Sequence, residues 1–304
     1  MRRALVVVNP IAGRGGKRTM GARGDIATSV LAAHGYEAEV RVTTGPNDPF
    51  RFSSEAAAAN VDLVIAWGGD GTVNGAACGV AGTGIPFGIV PGGSGNGLAR
   101  DLLIPFDPTA ALTIAATGMT RAIDAGDLHG SLFFNVAGIG FDARIAARLA
   151  EPGARRGLVG YIFATIGELR GYEPGCYSIL NACDVEGKAL VADIVDRPAL
   201  FIALANSRQY GSGAQIAPRA LLDDGMMEIV VVEPQSGLSI LRQVPAFFRG
   251  TLREGPGLLM RSASAMEISC DHPIYFHVDG EPRLGPNRIA LSTRRGILSV
   301  RVSR

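Results

Sequence analysis

The residues with the clearest capacity for chemistry are Gly68-Gly69-Asp70-Gly71-Thr72-Val73-Asn74, which close the apolar run Val61-Asp62-Leu63-Val64-Ile65. A buried strand ending in such a turn exposes main-chain N–H groups with no side chains in the way. Polyphosphate oxygens can then approach the backbone, and a helix starting at the turn adds the positive end of its dipole. Asp70 is the odd member, because a carboxylate repels phosphate unless a divalent cation lies between them. Strand, glycine turn, acid and helix together predict a metal-nucleotide site. A plain strand-to-helix turn is the competing reading of the same residues.

The design recurs twice. Ile85-Pro86-Phe87-Gly88-Ile89-Val90 runs into Pro91-Gly92-Gly93-Ser94-Gly95-Asn96-Gly97 and then a helical pattern from Leu98. Ala4-Leu5-Val6-Val7-Val8 runs into Asn9-Pro10-Ile11-Ala12-Gly13-Arg14-Gly15-Gly16-Lys17. Three strands that each end in a glycine turn and a helix predict a parallel sheet, and ligands gather at the carboxyl ends of such strands. The spacing is not that of a P-loop, a Rossmann fingerprint or a protein kinase.

Further motifs follow in order: Ile123-Asp124, Phe134-Asn135-Val136-Ala137-Gly138-Ile139-Gly140-Phe141-Asp142-Ala143, Asp223-Asp224-Gly225 and Val278-Asp279-Gly280-Glu281. With the three turns, this series resembles the diacylglycerol kinase catalytic family, which includes bacterial lipid kinases, sphingosine kinases and ceramide kinases. Gly-Gly-Asp-Gly alone also occurs in NAD kinases and phosphofructokinases; the order and spacing over nearly the whole chain carry the resemblance. It implies an α/β N-terminal domain with a parallel sheet and a mainly β C-terminal sandwich. The boundaries expected are 1–125, with 295–304 returning to that domain, and 126–294, with the active site in the cleft between them.

The activity implied is ATP- and Mg²⁺-dependent phosphorylation of a lipid hydroxyl, with diacylglycerol the first choice of substrate. A sphingosine- or ceramide-type lipid kinase, a soluble-substrate kinase like the NAD kinases, and a non-catalytic nucleotide-binding regulator are the alternatives. Phosphoryl transfer needs a cradle for the phosphates, cations on their charge and a base for the hydroxyl. The cradle is expected from Asn9, Pro10, Gly13, Gly68, Gly69, Asp70, Gly71, Thr72, Asn74 and Ser94, and by resemblance Thr43. The resemblance puts the base in the Asp279 turn, with Asp279 preferred and Glu281 the alternate. Asp70 and Asp124 are expected to share the catalytic Mg²⁺, balanced by Arg14. A separate structural Mg²⁺ site would use the Asp224 carboxylate and the carbonyls of Leu221 and Met226. Phe133, Phe134, Tyr161, Phe163 and Phe201 could line an acyl-chain cleft, although ordinary core is the more usual role of such residues.

Two departures stand out. Gly75 occupies a position where the family usually has Glu, and Gly97 one where many bacterial diacylglycerol kinases have Asp. Both losses thin the acidic network around the metal and leave the lipid class open.

Composition agrees with an ordinary folded enzyme. At 304 residues, with 47% hydrophobic and 19% charged, the chain can fill the cores of two domains. A net charge of +1 gives no field to attract nucleic acid. The four cysteines, Cys78, Cys176, Cys183 and Cys270, show no metal-ligand spacing and read as reduced thiols of a cytoplasmic protein. No window approaches the ~18 apolar residues of a spanning helix, so contact with a lipid-bearing membrane surface would be peripheral. A homodimer is left open.

Overall fold

The structure, a computed structural model, describes residues 1–12, 18–151, 167–168, 171–190 and 193–303. Gly13, Arg14, Lys17, Tyr161 and Phe163 lie outside the described residues. The chain forms two compact units, Met1–Ile123 with Gly296–Arg304, and Asp124–Arg295.

The first unit opens with β1 (Arg2–Val8), α1 (Arg18–Ala33), β2 (Tyr36–Val42), α2 (Asp48–Ala58), β3 (Leu63–Gly68), α3 (Asp70–Val80), β4 (Phe87–Pro91), α4 (Gly97–Asp101) and α5 (Pro108–Thr117). Its strands run in the order β2-β1-β3-β4 and every pair is parallel. The unbroken burial of Ala4 to Val8 and of β3 is what inner parallel strands require, whereas β2, at the edge, alternates. Each Val, Leu or Ile removed from water contributes about 1.5–3 kcal/mol. α5 starts where Asp107 accepts the Ala110 amide and Pro108 supplies a first-turn φ.

Register decides where the turns fall. Val8 pairs with both Val42 and Trp67, and Gly68 pairs with Pro91, so all four strands end at one edge. Asn9, Thr43, Gly69 and Gly92 therefore lie along that edge. The chain moves outward from β1 to β2 and in the other direction through β3 to β4, so the turns after β1 and β3 flank the switch point where open α/β sheets bind ligands.

Helix packing explains two more glycines. A Cβ at Gly79 would come within 2.7 Å of the Phe50 carbonyl and the Ser53 Cβ, and one at Gly75 within 3.1 Å of the Pro49 Cβ. These two residues, one turn apart on α3, let α2 approach closely.

The second unit is mainly β. It contains β6 (Ser131–Phe133), β7 (Val136–Gly140), α6 (Phe141–Ala150), β8 (Gly175–Cys183), β9 (Ile194–Ala199), β10 (Phe201–Ala205), β11 (Gln209–Gly211), β12 (Ala214–Gln215), β13 (Met227–Val232), α7 (Gly237–Arg249), β14 (Leu258–Ala263), β15 (Ala265–Ser269), β16 (Tyr275–Val278) and β17 (Glu281–Leu284). Two long strands, β5 (Met119–Leu128) and β18 (Arg288–Val302), carry the chain into and out of it. One sheet runs β14-β13-β10-β7-β16-β17; in another, β18 neighbours β5 and β15, and β15 leads on to β8 and β9.

Phe133, Ile139, Tyr177, Ile179, Leu204, Ile229, Ile268 and Phe276, drawn from both sheets, share one buried core. The architecture is a β-sandwich. Phe133 and Phe134 are fully buried, and a Cβ at Gly126 would strike the Phe133 ring, so these two rings are core and not cleft lining. Phe201 packs beside the apolar cluster formed by α6, β10 and β13. The apolar stretch Leu132–Val136 is not one strand: β6 stops at Phe133 and β7 starts at Val136, because the amides of residues 134–136 are turned to a side chain.

Candidate active site

In the first unit, space for an anion is made by leaving out side chains. A Cβ on Gly93 would lie 2.5 Å from the Gly69 Cα, and one on Gly68 2.6 Å from the Thr72 side chain. The turns after β3 and β4 thus pack backbone on backbone, joined by the Gly92 amide donating to the Gly68 carbonyl at 2.8 Å. Asn96 shapes the second turn from a left-handed conformation (φ +51°), its Oδ1 accepting the Gly93 amide at 2.9 Å and its Nδ2 donating to the Gly93 carbonyl at 2.7 Å.

Asp70 occupies the first turn of α3, where a negative charge offsets the helix dipole. Its carboxylate accepts the Asn96 amide at 2.9 Å and the Gly97 amide at 2.8 Å, bracing one glycine turn against the other. Gly97 is therefore part of the brace as well as a missing acid. Asn9 links the third turn: its Nδ2 donates to Thr72 Oγ1 at 3.0 Å and its Oδ1 accepts the Ile11 amide at 3.1 Å. Arg23 donates to the carbonyls of Asn9 and Ala12 and lies over the Trp67 ring. Pro10, Gly71 and Asn74 are half-buried, Thr43 is buried and Ser94 is exposed.

The second unit holds the other acids. Asp279 (φ +48°) and Gly280 (φ +88°) form the two-residue turn of the β16–β17 hairpin, in which Val278 pairs with Glu281. The Asp279 carboxylate accepts three amides, from Phe134 at 2.9 Å, Asn135 at 3.0 Å and Val136 at 2.9 Å. A carboxylate offers about four acceptor positions. With three of them filled, Asp279 fixes the 134–136 segment. Glu281, two residues on, is exposed at the start of β17. The two acids named for the base therefore stand in different surroundings, Asp279 held by amides and Glu281 open to solvent.

Behind this turn lies a buried pair that the sequence reading passed over. Gly280 N–H donates to His277 Nδ1 at 3.2 Å, so the ring proton sits on Nε2, which donates to Asp142 Oδ2 at 2.6 Å. Gly138, opposite His277 in register, leaves room for the pair, since a Cβ there would overlap both side chains. Alternation along Tyr275-Phe276-His277-Val278 puts Phe276 and Val278 in the shared core and His277 on the other face of β16, and it is the packing of α6 on that strand that buries the imidazole and makes it need a partner.

Asp124 is buried, and its Oδ2 accepts the Gly225 amide at 2.7 Å while its own amide donates to the Leu222 carbonyl at 2.7 Å. Asn206 Nδ2 donates to the carbonyls of Asp124 at 2.8 Å and Phe134 at 2.9 Å, tying Asp124 to the Asp279 network. Asn206 and Ser207, which donates to Asn135 Oδ1, were not anticipated either. Asn206 Oδ1 is buried with no hydrogen-bond partner among the described residues. Asp224 accepts the Met226 amide at 2.9 Å, and Leu221 is exposed. Desolvation holds the Asp224 carboxyl above its usual range, the Met226 amide works against this, and the charges of Asp124 and Asp223 add to the rise. The mutually repelling carboxylates of Asp124, Asp223 and Asp224 are hard oxygen donors of the kind that suit Mg²⁺.

With this geometry in view, the chain was compared with known proteins. Residues 3–128 match the family described as "Diacylglycerol kinase catalytic domain", and residues 135–301 match "YegS C-terminal NAD kinase beta sandwich-like domain". The chain is 32% identical over 266 residues to "Probable lipid kinase YegS-like" of Klebsiella pneumoniae strain 342, covering 85% of this chain and 84% of that protein. It is 32% identical over 267 residues to "Probable lipid kinase YegS" of Escherichia coli O127:H6, covering 86% and 85%. A crystal structure of a diacylglycerol kinase from Bacillus anthracis Sterne superposes with a TM-score of 0.73 at 21% identity, over 99% of this chain and 97% of that one. At that identity the likeness is one of fold.

Proposed function

Because this chain belongs to the diacylglycerol kinase catalytic-domain family and is a lipid kinase using ATP, we propose that it transfers the γ-phosphate to the free hydroxyl of diacylglycerol, giving phosphatidic acid. The family description supports that choice of lipid. The observation that carries the residue assignment is the division of labour at the hairpin turn: Asp279 is committed to three amides and Glu281 is exposed beside it.

In this reading the glycine turns after β1, β3 and β4, with Asn9, Thr72 and the start of α3, receive the nucleotide phosphates. Asp70 of the first unit and Asp124 of the second would each offer carboxylate oxygens to Mg²⁺, which would neutralise phosphate charge. A structural Mg²⁺ would draw on Asp224 and the carbonyls of Leu221 and Met226. Glu281 removes the hydroxyl proton as the lipid oxygen bonds to the γ-phosphorus and the bond to the β-phosphate oxygen breaks. Asp279 holds Glu281 and the 134–136 segment in register. Among the described residues no helix is long and apolar enough to cross a membrane, so the lipid would be taken from a surface that the protein touches.

Glu281→Gln tests the assignment. Turnover of diacylglycerol in mixed micelles should fall by about 10² or more, with Mg-ATP affinity and melting temperature unchanged. Activity near wild type would remove Glu281 from the role. A parallel panel of sphingosine, ceramide and NAD identifies the acceptor, and preferential turnover of any of these would displace diacylglycerol.

A further inference from the structure

A separate cluster of ligating side chains lies in the loop Cys270-Asp271-His272-Pro273, between the end of β15 at Ser269 and β16. Cys270 Sγ lies 3.3 Å from His272 Nε2 and 3.4 Å from Asp271 Oδ1, and His272 Nε2 lies 3.9 Å from Asp271 Oδ1. A tetrahedral zinc ion, with bonds of about 2.3 Å to sulfur and about 2.1 Å to nitrogen and oxygen, separates its ligands by about 3.4–3.6 Å. Shifts of a few tenths of an ångström would close this triangle around such an ion.

Three features prepare the donors. His272 Nδ1 lies 3.0 Å from the Pro273 carbonyl oxygen. That oxygen can only accept, so Nδ1 carries the proton and Nε2 turns its lone pair toward Cys270. Metal-bound imidazoles are held by this kind of outer hydrogen bond. The loop is also pinned at both ends, Cys270 N–H donating to the Asn287 carbonyl at 2.9 Å and Ile274 N–H to the Pro286 carbonyl at 3.2 Å. The Tyr177 ring packs edge-on against the imidazole, with centroids 6.4 Å apart.

We propose that Cys270, Asp271 and His272 bind one thiophilic divalent cation, Zn²⁺ by the chemistry of the donors, with water completing the tetrahedron. Thiolate and imidazole discriminate against Mg²⁺, which takes oxygen ligands. This cation is thus chemically distinct from the one that phosphoryl transfer uses. The thiol proton passes to solvent on binding, since the thiolate is the ligand. Cysteine spacing alone hides the site, because only one of its three donors is a cysteine.

Titration of the purified full-length chain with Co²⁺ alone tests this. One equivalent should produce thiolate-to-cobalt charge-transfer absorption and tetrahedral d–d bands, both abolished by Zn²⁺. Cys270→Ser should lose the charge-transfer band, whereas Cys176→Ser, which alters a different exposed thiol, should keep it. His272→Ala should weaken Co²⁺ binding roughly tenfold or more, at least the loss typical of outer-sphere partners. Its side chain is 50% exposed, so it carries the test if Cys270→Ser fails to fold. Absence of the band in the wild-type protein, its persistence in folded Cys270→Ser, or unchanged affinity in His272→Ala would overturn the proposal.

Discussion

The glycine turns of the first unit and the Asp279 turn of the second each bring backbone amides to a carboxylate. Each also relies on a non-glycine residue in left-handed conformation, Asn96 at φ +51° and Asp279 at φ +48°. They differ in how the site is made. Around Asp70 the shape comes from absent side chains, with Gly93 so close to Gly69 that a Cβ on Gly93 would lie 2.5 Å from the Gly69 Cα. Around Asp279 it comes from side chains that are present: the Asp279 carboxylate, Asn206 and the His277–Asp142 pair. A pocket for phosphate needs open amides, and side chains would only obstruct it. A base for proton transfer must be aimed, and aiming takes buried partners.

The largest effect expected from this contrast is at Asp279. Asp279→Asn places an NH₂ among three N–H donors, so at least one amide loses its acceptor, at a cost of about 1–3 kcal/mol. Turnover should fall by about 10² or more and the melting temperature should drop with it, whereas Glu281→Gln should melt like the wild type. An Asp279→Asn protein that loses turnover but melts normally would return the base to Asp279.

The glycines divide next. A Cβ on Gly280 meets no atom within 4 Å, so Gly280→Ala costs only its positive φ, about 1–2 kcal/mol. Gly93→Ala drives a methyl into the Gly69 backbone and should weaken Mg-ATP binding by roughly tenfold or more, since each 1.4 kcal/mol of distortion costs a factor of ten. Calorimetric titration of both variants compares them directly. Equal ATP affinities would mean that the first unit's backbone contact does not shape the cradle.

The smallest effect concerns Asp224. Its folded-state carboxyl titrates above the unfolded value, so the folded protein binds the extra proton in the window above about pH 4. Stability therefore falls as pH rises through that window, and the cost persists at neutral pH in the absence of cation. Asp224→Asn should raise the Mg²⁺-free melting temperature at pH 7 by a few degrees at most and abolish any stabilisation by added Mg²⁺. A Mg²⁺-induced shift that survives the substitution would remove the metal from Asp224.

Much of the first unit was legible because its information is local. Apolar runs such as Ala4–Val8 and the glycines after them announce strands and turns without reference to distant residues. Locality does not reach the bracing of Asp70, whose carboxylate is met by amides of Asn96 and Gly97, 26 and 27 positions away. In the second unit the decisive contacts span more of the chain. Asp279 and Val136 are 143 residues apart and His277 and Asp142 are 135 apart, so no window of sequence contains both partners. The strand break at Phe134 and Asn135 follows from the same remote carboxylate. β5 was missed as a strand because Ile123-Asp124 draws attention as a motif within it.

The packing of α2 on α3 couples shape to charge. At Gly75, where the family resemblance leads one to expect a glutamate, an added Cβ would lie 3.1 Å from the Pro49 Cβ. A side chain added at this position asks α2 to give by a few tenths of an ångström, so a charge introduced there is felt first as a demand on helix packing. Gly75→Glu paired with Pro49→Ala separates the two: stability recovered by the second change belongs to the helix contact, and any change in Mg²⁺ dependence that remains belongs to the acid.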